Sequence, residues 1–294
     1  VFTPLHILCI NARSIVSKRD ELGLYLSSLP VMPNLIAITE TWLTSDDSDV
    51  LLTNVLPNYS LYRADRASRG GGCAILVNNN IVSSLFANIC VEGIESIWVE
   101  LRLSFKVSVL MGCVYRRPTC DVINLQTWLD KIESNIILDN KCMFIVGDFN
   151  LPEIDWSVPA PTNFNNSFAL FNEMFSAFGM MQCNKLPTRG DSLLDLFFTN
   201  NPACITNTCT VPPLSNSDHD GVLTTAHVLC AAPKPTLMNN TVKHLYAFAR
   251  ADYNSIAAAL VNTNWETFFN STTTINAAWL KFKNFLYYLI ALHV

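Results

Sequence analysis

The stretch "CMFIVGDFN", residues 142–150, sets an apolar run directly before a glycine, an acid and an amide. A short, continuously apolar run is typical of a strand that is buried on both faces of a sheet. Helical patterns lie between some of the runs of this kind, as in residues 18–29. The pattern predicts an α/β (α+β) protein in which two β-sheets pack together with helices outside. The other predicted strands occupy 5–10, 35–39, 73–77, 96–101, 107–115, 194–199 and 222–228.

The later part of the chain changes character. Phe168, Phe171, Phe175 and Phe178 recur at helical spacing, which predicts an apolar stripe that faces the core. Residues 230–243 contain two prolines and no strand pattern, which predicts a linker. We therefore expect one domain at residues 1–229, the linker, and a helical tail at 244–294. Within the tail, the helices are predicted at 252–260 and 277–292.

Composition favours a well-packed core. The chain has 294 residues, of which 50% are hydrophobic and 15% charged, and these values argue against disorder. The formal net charge of −5 argues mildly against nucleic-acid binding, although an acidic protein can carry a local basic face. Apolar runs are too short for a membrane span, and the first is too short for a signal peptide. We expect no membrane partner and no secretion.

Polar residues mark the ends of the predicted strands. Taken singly, Asn11 can bond a turn, Glu40 can cap the next segment, and His219 can be a solvated loop residue. A carboxylate against the end of an apolar strand is costly, however, unless it is paired, hydrogen-bonded or bound to a metal. If the strands share one layered core, these side chains converge on one rim. The full set is Asn11, Glu40, Tyr115, Asp148, Asn150, Asp195, Asp218 and His219.

The residue types in this set indicate one kind of chemistry. The sequence has no G-x-S-x-G nucleophile elbow, no P-loop, no dinucleotide fingerprint and no Cys/His spacing that matches zinc. Oxygen ligands from Asp, Glu and Asn suit a hard cation such as Mg²⁺ or Mn²⁺. A hard cation beside a histidine and a spare carboxylate describes metal-assisted hydrolysis of a phosphate ester.

Seven segments carry a family resemblance. Together they resemble the endonuclease/exonuclease/phosphatase superfamily and, within it, the apurinic-type endonuclease domain of jockey-like non-LTR retrotransposons. The resemblance covers residues 5–229 and implies a four-layer α/β sandwich, two mixed sheets flanked by helices, with the site at its top edge. Residues 251–269 resemble the segment that leads to a reverse transcriptase. The seven are NARS at 11–14, ETWL at 40–43, GGGCAILV at 70–77, VYRRP at 114–118, GDFN at 147–150, LDLFFTN at 194–200 and SDH at 217–219.

The resemblance implies which residues hold the cation and the substrate. Asn11 and Glu40 are implied to help hold the divalent ion, and Asp218 is implied to lie near it. Asp148 and Asn150 are implied to orient the water and to bind the phosphate and the metal. These assignments make the ends of four predicted strands into one candidate centre.

The remaining catalytic roles also follow from the resemblance. Tyr115 is implied to contact the phosphate. Asp195 is implied to orient His219, which acts as the general base or as a phosphate contact. The family pattern Y-R-P-P is replaced here by Tyr115-Arg116-Arg117-Pro118, which adds a charge beside the phosphate contact.

Basic side chains beside the motifs are expected to position DNA through its phosphates, with solvated surface charge as the ordinary alternative. The candidates for substrate binding are Arg13, Arg69, Arg116, Arg117 and Arg189. Arg63, Arg66 and Lys185 lie in the same loops.

The leading hypothesis is a Mg²⁺-dependent DNA endonuclease that nicks duplex DNA and leaves a 3′-hydroxyl that primes reverse transcription during retrotransposon insertion. It would act in the nucleus after synthesis in the cytoplasm, and the chain would continue into a reverse transcriptase domain that binds the element RNA. Two alternatives stay open. One is a phosphatase or phosphodiesterase of the same superfamily acting on lipid or inositol phosphates, and the other is a decayed module that only binds DNA.

Overall fold

The computed structural model describes residues 4–104, 107–136, 141–154, 156, 171, 178–228, 251–270 and 275–294. The chain divides into two compact units, Val1–Ala232 and Pro233–Val294. The predicted linker at 230–243 lies outside the described residues. Among the described residues, no helix has the length and apolar character that crossing a membrane requires.

The described part of the first unit forms two six-stranded sheets. The strands are β1 (Leu5–Asn11), β2 (Leu35–Thr39), β3 (Tyr59–Ala64), β4 (Cys73–Asn78), β5 (Val82–Asn88), β6 (Ile94–Ser104), β7 (Val107–Arg116), β8 (Cys142–Asp148), β9 (Met181–Gln182), β10 (Asp195–Thr199), β11 (Ile205–Val211) and β12 (Gly221–Ala226). The first sheet has the strand order β11-β12-β1-β2-β4-β3, and the second has the order β5-β6-β7-β8-β10-β9. Both are mixed, because β1 pairs with β2 in parallel and β7 pairs with β8 in parallel.

Helices lie in both units. Within the described ranges of the first unit, the helices with known bounds are α1 (Arg19–Ser28), α2 (Val50–Thr53) and α3 (Val122–Asn135). In the second unit they are α4 (Tyr253–Asn262), α5 (Trp265–Phe269) and α6 (Ile275–His293). Side chains of Asp252 and Asn264 accept hydrogen bonds from the first turns of α4 and α5, which is why these helices begin where they do.

Strand alternation distributes the apolar side chains over three clusters. Successive side chains of a strand point to opposite faces, so Ile7 and Cys9 of β1 enter the cluster between the sheets. Leu8 and Ile10 enter the cluster under α1 instead. The second sheet has the same arrangement, with a third cluster under α3 around Trp128. The layers therefore run helix, sheet, sheet, helix, which confirms the predicted four-layer α/β sandwich.

The structure contains all eight strands predicted from the sequence, with ends shifted by a few residues. The sequence pattern did not identify β3, β5, β9 and β11, and each of these lies at an edge of its sheet in the described structure. Nor did it identify α2, α3 or α5. Edge strands have mixed burial, as in β5, where most side chains are exposed, so the continuous apolar signal is missing.

The phenylalanine stripe is core where it is described. Phe171 and Phe178 are buried in the cluster under α3, which confirms the predicted packing role for these two. Phe168 and Phe175 lie outside the described residues. In the second unit, α4 and α6 occupy the two predicted helical segments, and Trp265 packs against Phe282 and Phe285 of α6.

Gly147 allows β8 to lie directly against β7 at the point where the strand reaches Asp148. Its φ of +140° disfavours other residues, and a Cβ atom there would lie 1.9 Å from the main-chain oxygen of Val114. The clashing atom belongs to the paired strand, so it cannot rotate away.

Gly147→Ala is expected to lower the free energy of unfolding by at least about 3 kcal/mol, since two backbones must separate. Gly179→Ala is the matched control, because Gly179 also has a positive φ but has nothing within 4 Å of the added Cβ. That variant should cost about 1–2 kcal/mol. Urea unfolding of both variants checks the difference, and equal losses would show that backbone contact at Gly147 is unimportant.

Candidate active site

A row of polar side chains crosses the second sheet where its inner core ends. Glu95 pairs with Tyr115, Tyr115 with Asp148, and Asp148 with Asp195, on four consecutive strands. Each lies two residues from an apolar side chain that faces the first sheet, such as Val146 before Asp148. Strand alternation therefore directs the whole row into the gap between the sheets, at its rim.

Asn11 joins the two sheets at this rim. Its Nδ2 donates to Asp148 Oδ2 at 2.9 Å and to Glu40 Oε1 at 3.1 Å. Asn11 ends β1 and is buried, while Glu40 follows β2, the parallel neighbour of β1. The structure thus brings together Asn11, Glu40 and Asp148, as the strand-end pattern predicts.

Asp195 and His219 form a buried hydrogen-bonded pair. Asp195 Oδ2 lies 2.8 Å from His219 Nδ1, and the side chains are 1% and 3% exposed. Ser217 fixes the histidine loop, because its Oγ donates to the main-chain oxygen of Asn11 at 2.6 Å and accepts from the main-chain N–H of His219. With Nδ1 bonded to the carboxylate, Nε2 is the ring nitrogen left for chemistry.

The environment shifts the pKa values of His219 and of Asp148. Burial raises the pKa of Asp148 above its ordinary value, and the charge of Asp195 raises it further, although His219 opposes both. Burial lowers the pKa of His219, but the hydrogen bond to Asp195 and the negative charges around it outweigh that effect, so the pKa lies above 6.5. The cluster therefore favours additional positive charge.

A metal ion fits this cluster. Ligand atoms of Asp148, Asp195 and His219 lie within 4.8 Å of one another. Oδ1 of Asp195 is buried and finds no hydrogen-bond partner among the described residues. An unpartnered carboxylate oxygen beside a second buried carboxylate is the kind of donor set that a hard cation satisfies. The predicted ligands Asn11 and Glu40 adjoin this group through the hydrogen bonds of Asn11.

Asp218 lies apart from the buried group. Its carboxylate bonds Arg189 Nη2 at 2.6 Å and lies 3.5 Å from Arg13 Nη1, with 33% of the side chain exposed. Burial raises the pKa of this carboxyl, but a main-chain hydrogen bond and the charges of Arg189, His219 and Arg13 outweigh burial and lower it. Of the residues implied to hold or adjoin the metal, Asp218 is the one paired with arginines instead.

Tyr115 lies beside Asp148, and two charged residues support it. Burial raises the pKa of its phenol, as do the nearby carboxylates of Glu40 and Asp148, so the hydroxyl keeps its proton. Arg66 lies over the ring at 5.8 Å. Arg66 donates twice to the buried Glu95, at 2.9 and 3.1 Å, in a bidentate pair.

Glu95 was missed by the sequence analysis. In "IESIWVEL", Glu95 shares a strand face with Ile97, Val99 and Leu101, which all line the core between the sheets. Glu95 takes the inward-facing position two residues before Ile97, so an acid continues the alternation of buried apolar residues. A search for polar residues that directly follow apolar runs does not detect this signal. Arg66, one of the loop arginines, is the residue that pairs with this buried acid.

Arg116 corrects one expectation. The strand β7 continues through Arg116, so its side chain lies on the sheet face opposite to that of Tyr115. It is 4% exposed and donates to the main-chain oxygens of Phe149, Asn150 and Cys120. Arg116 is thus bound to the chain itself rather than available to substrate, and it fixes the turn after Asp148.

Asn150 completes that turn. Its main-chain N–H donates to Asp148 Oδ1 at 3.0 Å, and its side-chain Nδ2 donates to the main-chain oxygen of Arg116 at 2.8 Å.

The other predicted substrate-binding arginines, Arg13, Arg69, Arg117 and Arg189, are at least partly exposed. The structure therefore separates one supporting arginine from four that can reach a ligand.

Backbone strain is concentrated in the same loops. Within the described ranges, six non-glycine residues have positive φ, a conformation that L-residues adopt at a cost. All of them lie in the four segments that carry the site. They are Arg13, Ser14, Glu40, Trp42, Asn150 and Ser215.

Comparison with known proteins agrees with this geometry. A family model described as endonuclease-reverse transcriptase matches residues 109–223. The endonuclease domain of TRAS1, a telomere-specific non-LTR retrotransposon, has a TM-score of 0.60 at 14% identity, over 76% of this chain and 99% of that one. The AP endonuclease LMAP from Leishmania major gives 0.57 at 14% identity, over 77% and 88%. No curated protein matches in sequence.

A further solved structure links the fold to a known group of proteins. An endonuclease/exonuclease/phosphatase family protein from Leptotrichia buccalis has a TM-score of 0.53 at 16% identity, over 76% of this chain and 100% of that one. Identities this low establish the fold alone, and the family model adds a match in sequence to the strands that carry Tyr115, Asp148 and Asp195. The resemblance is confirmed at that level: the chain has the fold of endonuclease/exonuclease/phosphatase proteins, and residues 109–223 match the family model described as endonuclease-reverse transcriptase.

Proposed function

We propose that the chain is a divalent-metal-dependent DNA endonuclease that hydrolyses one phosphodiester bond and leaves a 3′-hydroxyl and a 5′-phosphate. The observation that carries the proposal is the buried Asp195–His219 pair at 2.8 Å, set beside Asp148 and the carboxylate of Glu40. An oriented base next to an oxygen-rich cluster is the arrangement that phosphodiester hydrolysis needs.

In this proposal His219 is the general base. Asp195 holds Nδ1, so Nε2 takes a proton from the attacking water. The water oxygen then forms a bond to phosphorus as the bond from phosphorus to O3′ breaks, and the leaving O3′ takes a proton from solvent water to become a hydroxyl. A positioned base of this kind contributes roughly 10²–10⁴ in rate.

We expect Glu40, Asp148 and Asn11 to hold Mg²⁺ or Mn²⁺. Asp148 is the ligand that this set shares with the buried cluster, whose other two members, Asp195 and His219, form the general-base pair. When bound, the cation supplies positive charge that neutralises the phosphate and polarises its oxygen. Asn11 sets the separation of the two carboxylates by donating to both. We assign Asp218 a different task, which is to hold Arg13 and Arg189 at the rim.

Tyr115 is proposed to donate its hydroxyl to a phosphate oxygen, a role that its raised pKa supports because the proton stays on the phenol. Asn150 keeps the Asp148 turn in place while its side-chain oxygen remains a candidate contact for the phosphate or the water. The exposed arginines Arg13, Arg69 and Arg189 surround the rim and suit phosphates of a duplex.

The biological setting is also a proposal. The likeness to a retrotransposon endonuclease domain and the family description support a role in nicking target DNA for insertion. We propose residues 1–229 as the catalytic domain, 230–243 as a linker, and 244–294 as a helical tail toward a reverse transcriptase that binds the element RNA. Action on chromosomal DNA would place the protein in the nucleus after cytoplasmic synthesis.

Incubation with supercoiled plasmid and Mg²⁺ should produce nicked circles, which DNA polymerase extends from the new 3′-hydroxyl. His219→Ala should nick roughly 10²–10⁴-fold more slowly, since the base is gone. Asp220→Asn is the matched control: it removes an exposed carboxylate next to His219 and should nick as the parent does.

Three results would contradict the proposal in different ways. A folded His219→Ala protein that nicks at the parental rate would show that His219 is not the general base and that the site is assigned wrongly. A parent that binds plasmid but never nicks it supports the decayed binding module. A parent that instead releases phosphate from lipid or inositol phosphates supports the alternative phosphatase.

The pH dependence of nicking follows from the raised pKa of His219. A base must be neutral, so the rate should rise as the pH passes the folded-state pKa, which lies above 6.5. Asp195→Asn removes the negative charge and leaves only a neutral amide acceptor for Nδ1–H, so the pKa should fall and the rise should move to lower pH. The pair also stabilises the fold below pH 6.5 and loses that stabilisation as pH rises through the folded-state pKa.

Titration of the histidine ring signals by NMR in the parent and in Asp195→Asn measures this shift. His6, whose pKa is lowered by burial and by His227, serves as the internal reference that should not move. An unchanged His219 titration in the variant would show that Asp195 does not set the charge state of the ring.

A further inference from the structure

A groove adjoins the site on the side of Glu40. It has a volume of about 730 Å³, which is within the range of small-molecule and cofactor pockets. We call it the Trp42 groove, and the residues of interest along it are Arg13, Ser17, Lys18, Trp42, Arg69 and Asn216. None of the steps proposed above uses Trp42 or Lys18.

The charge of the groove suits an anion. Three cationic residues line it, and Arg13, with 55% of its side chain exposed, is only partly engaged by Asp218 at 3.5 Å. Among the described lining residues, Asp47 carries the single carboxylate, and Thr44 donates to that group twice. Positive charge therefore dominates this surface, although the chain is acidic as a whole.

Trp42 is held rigidly at the groove. Its main-chain N–H donates to the oxygen of Gly71 at 2.9 Å, and its indole Nε1 donates to Glu40 Oε2 at 3.0 Å. The guanidinium of Arg69 lies over the ring at 5.5 Å. The backbone of Trp42 has a φ of +55°, so the ring is placed by a strained conformation that its surroundings maintain.

We propose that the Trp42 groove binds one unpaired nucleotide of the DNA strand beside the cleaved bond. Its base would stack on Trp42 in place of the Arg69 guanidinium, and its phosphate would lie against Arg13 and the displaced Arg69. The proposal rests on the nuclease function and names the part of the substrate that this surface recognises. An aromatic ring beside arginines is the pattern that binds single-stranded nucleic acid with little preference among bases. A base reaches such a ring only after it leaves the duplex stack.

The indole N–H makes the groove more than a binding surface. It bonds the carboxylate that we expect to hold the cation, so an occupant stacked on Trp42 also fixes Glu40. Trp42→Phe keeps an aromatic face and removes this bond, whereas Trp42→Leu removes both. The two variants therefore separate stacking from positioning.

Fluorescence anisotropy in EDTA measures binding without cleavage. The probes are a labelled twelve-nucleotide thymidine strand and an abasic strand with the same number of phosphates. The parent should bind the thymidine strand roughly 5- to 150-fold more tightly, from a stacking contribution of about 1–3 kcal/mol per base. Trp42→Leu should abolish this preference and Trp42→Phe should largely keep it, while Arg13→Ala and Arg69→Ala should weaken both strands alike.

Two matched controls test for general damage. Trp279→Leu makes the same change at a 61% exposed tryptophan of the second unit, and Arg102→Ala removes an exposed arginine at the far end of β6. Both should bind as the parent does. In the nicking assay, Trp42→Phe should lower kcat with little change in KM, because the bond to Glu40 is lost while the stacking face remains.

A preference for the thymidine strand that survives in Trp42→Leu would overturn the proposal. Equal loss in Trp42→Leu and Trp42→Phe would also overturn it, since stacking would then not be the cause. A protein that nicks plasmid but shows no preference for the thymidine strand refutes nucleotide binding in the Trp42 groove and leaves the nuclease function intact. A protein that shows the preference but never nicks keeps the groove and refutes the hydrolysis.

Discussion

The side-chain amide of Asn11 donates to carboxylates that belong to different sheets, and the rim of the sandwich depends on this contact. Where the apolar core between the sheets ends, acids take the next inward-facing positions. Burying them is costly without partners, and each has one: Asp148 has Asn11, Asp195 has His219, and Glu95 has Arg66. Removing one partner would leave a buried charge uncompensated, which typically costs about 3–5 kcal/mol.

The same rim contains the strained backbone. The loops after β1, β2 and β8 and the loop before β12 contain all six of the positive-φ non-glycine residues found in the described ranges. Each such residue costs on the order of 1–3 kcal/mol and persists only where the surroundings hold it in place. Main-chain bonds between loops provide this restraint, as when Ser14 donates to Glu40 and Trp42 donates to Gly71. Rigid sheets thus hold the side chains close enough for chemistry.

The sequence predicts the central strands and most of the rim, because both leave a local signal. Strands buried on two faces are continuously apolar, and a polar residue that ends such a run is conspicuous, as with Asn11 and Asp148. Edge strands such as β5 carry no such run, so the sequence pattern does not reveal them.

The wrong prediction for Arg116 has a different origin. Because Arg116 follows Tyr115 in the sequence, it was expected to share the role of Tyr115 in binding substrate. Successive side chains of β7 point to opposite faces of the sheet, however, so the two residues lie on different faces. Glu95 is recognised as part of the site only from the strand register, which pairs it with Tyr115.

The central claim is that the buried Asp195–His219 pair is the base of one hydrolytic site, and chemical rescue tests it most directly. His219→Gly leaves a cavity in which free imidazole can take the place of the ring. Single-turnover cleavage of a labelled duplex with Mg²⁺ should be slow in this variant and should rise with imidazole concentration, following the titration of imidazole itself. A variant that folds, binds DNA as the parent does and gains no rate from imidazole would contradict the account.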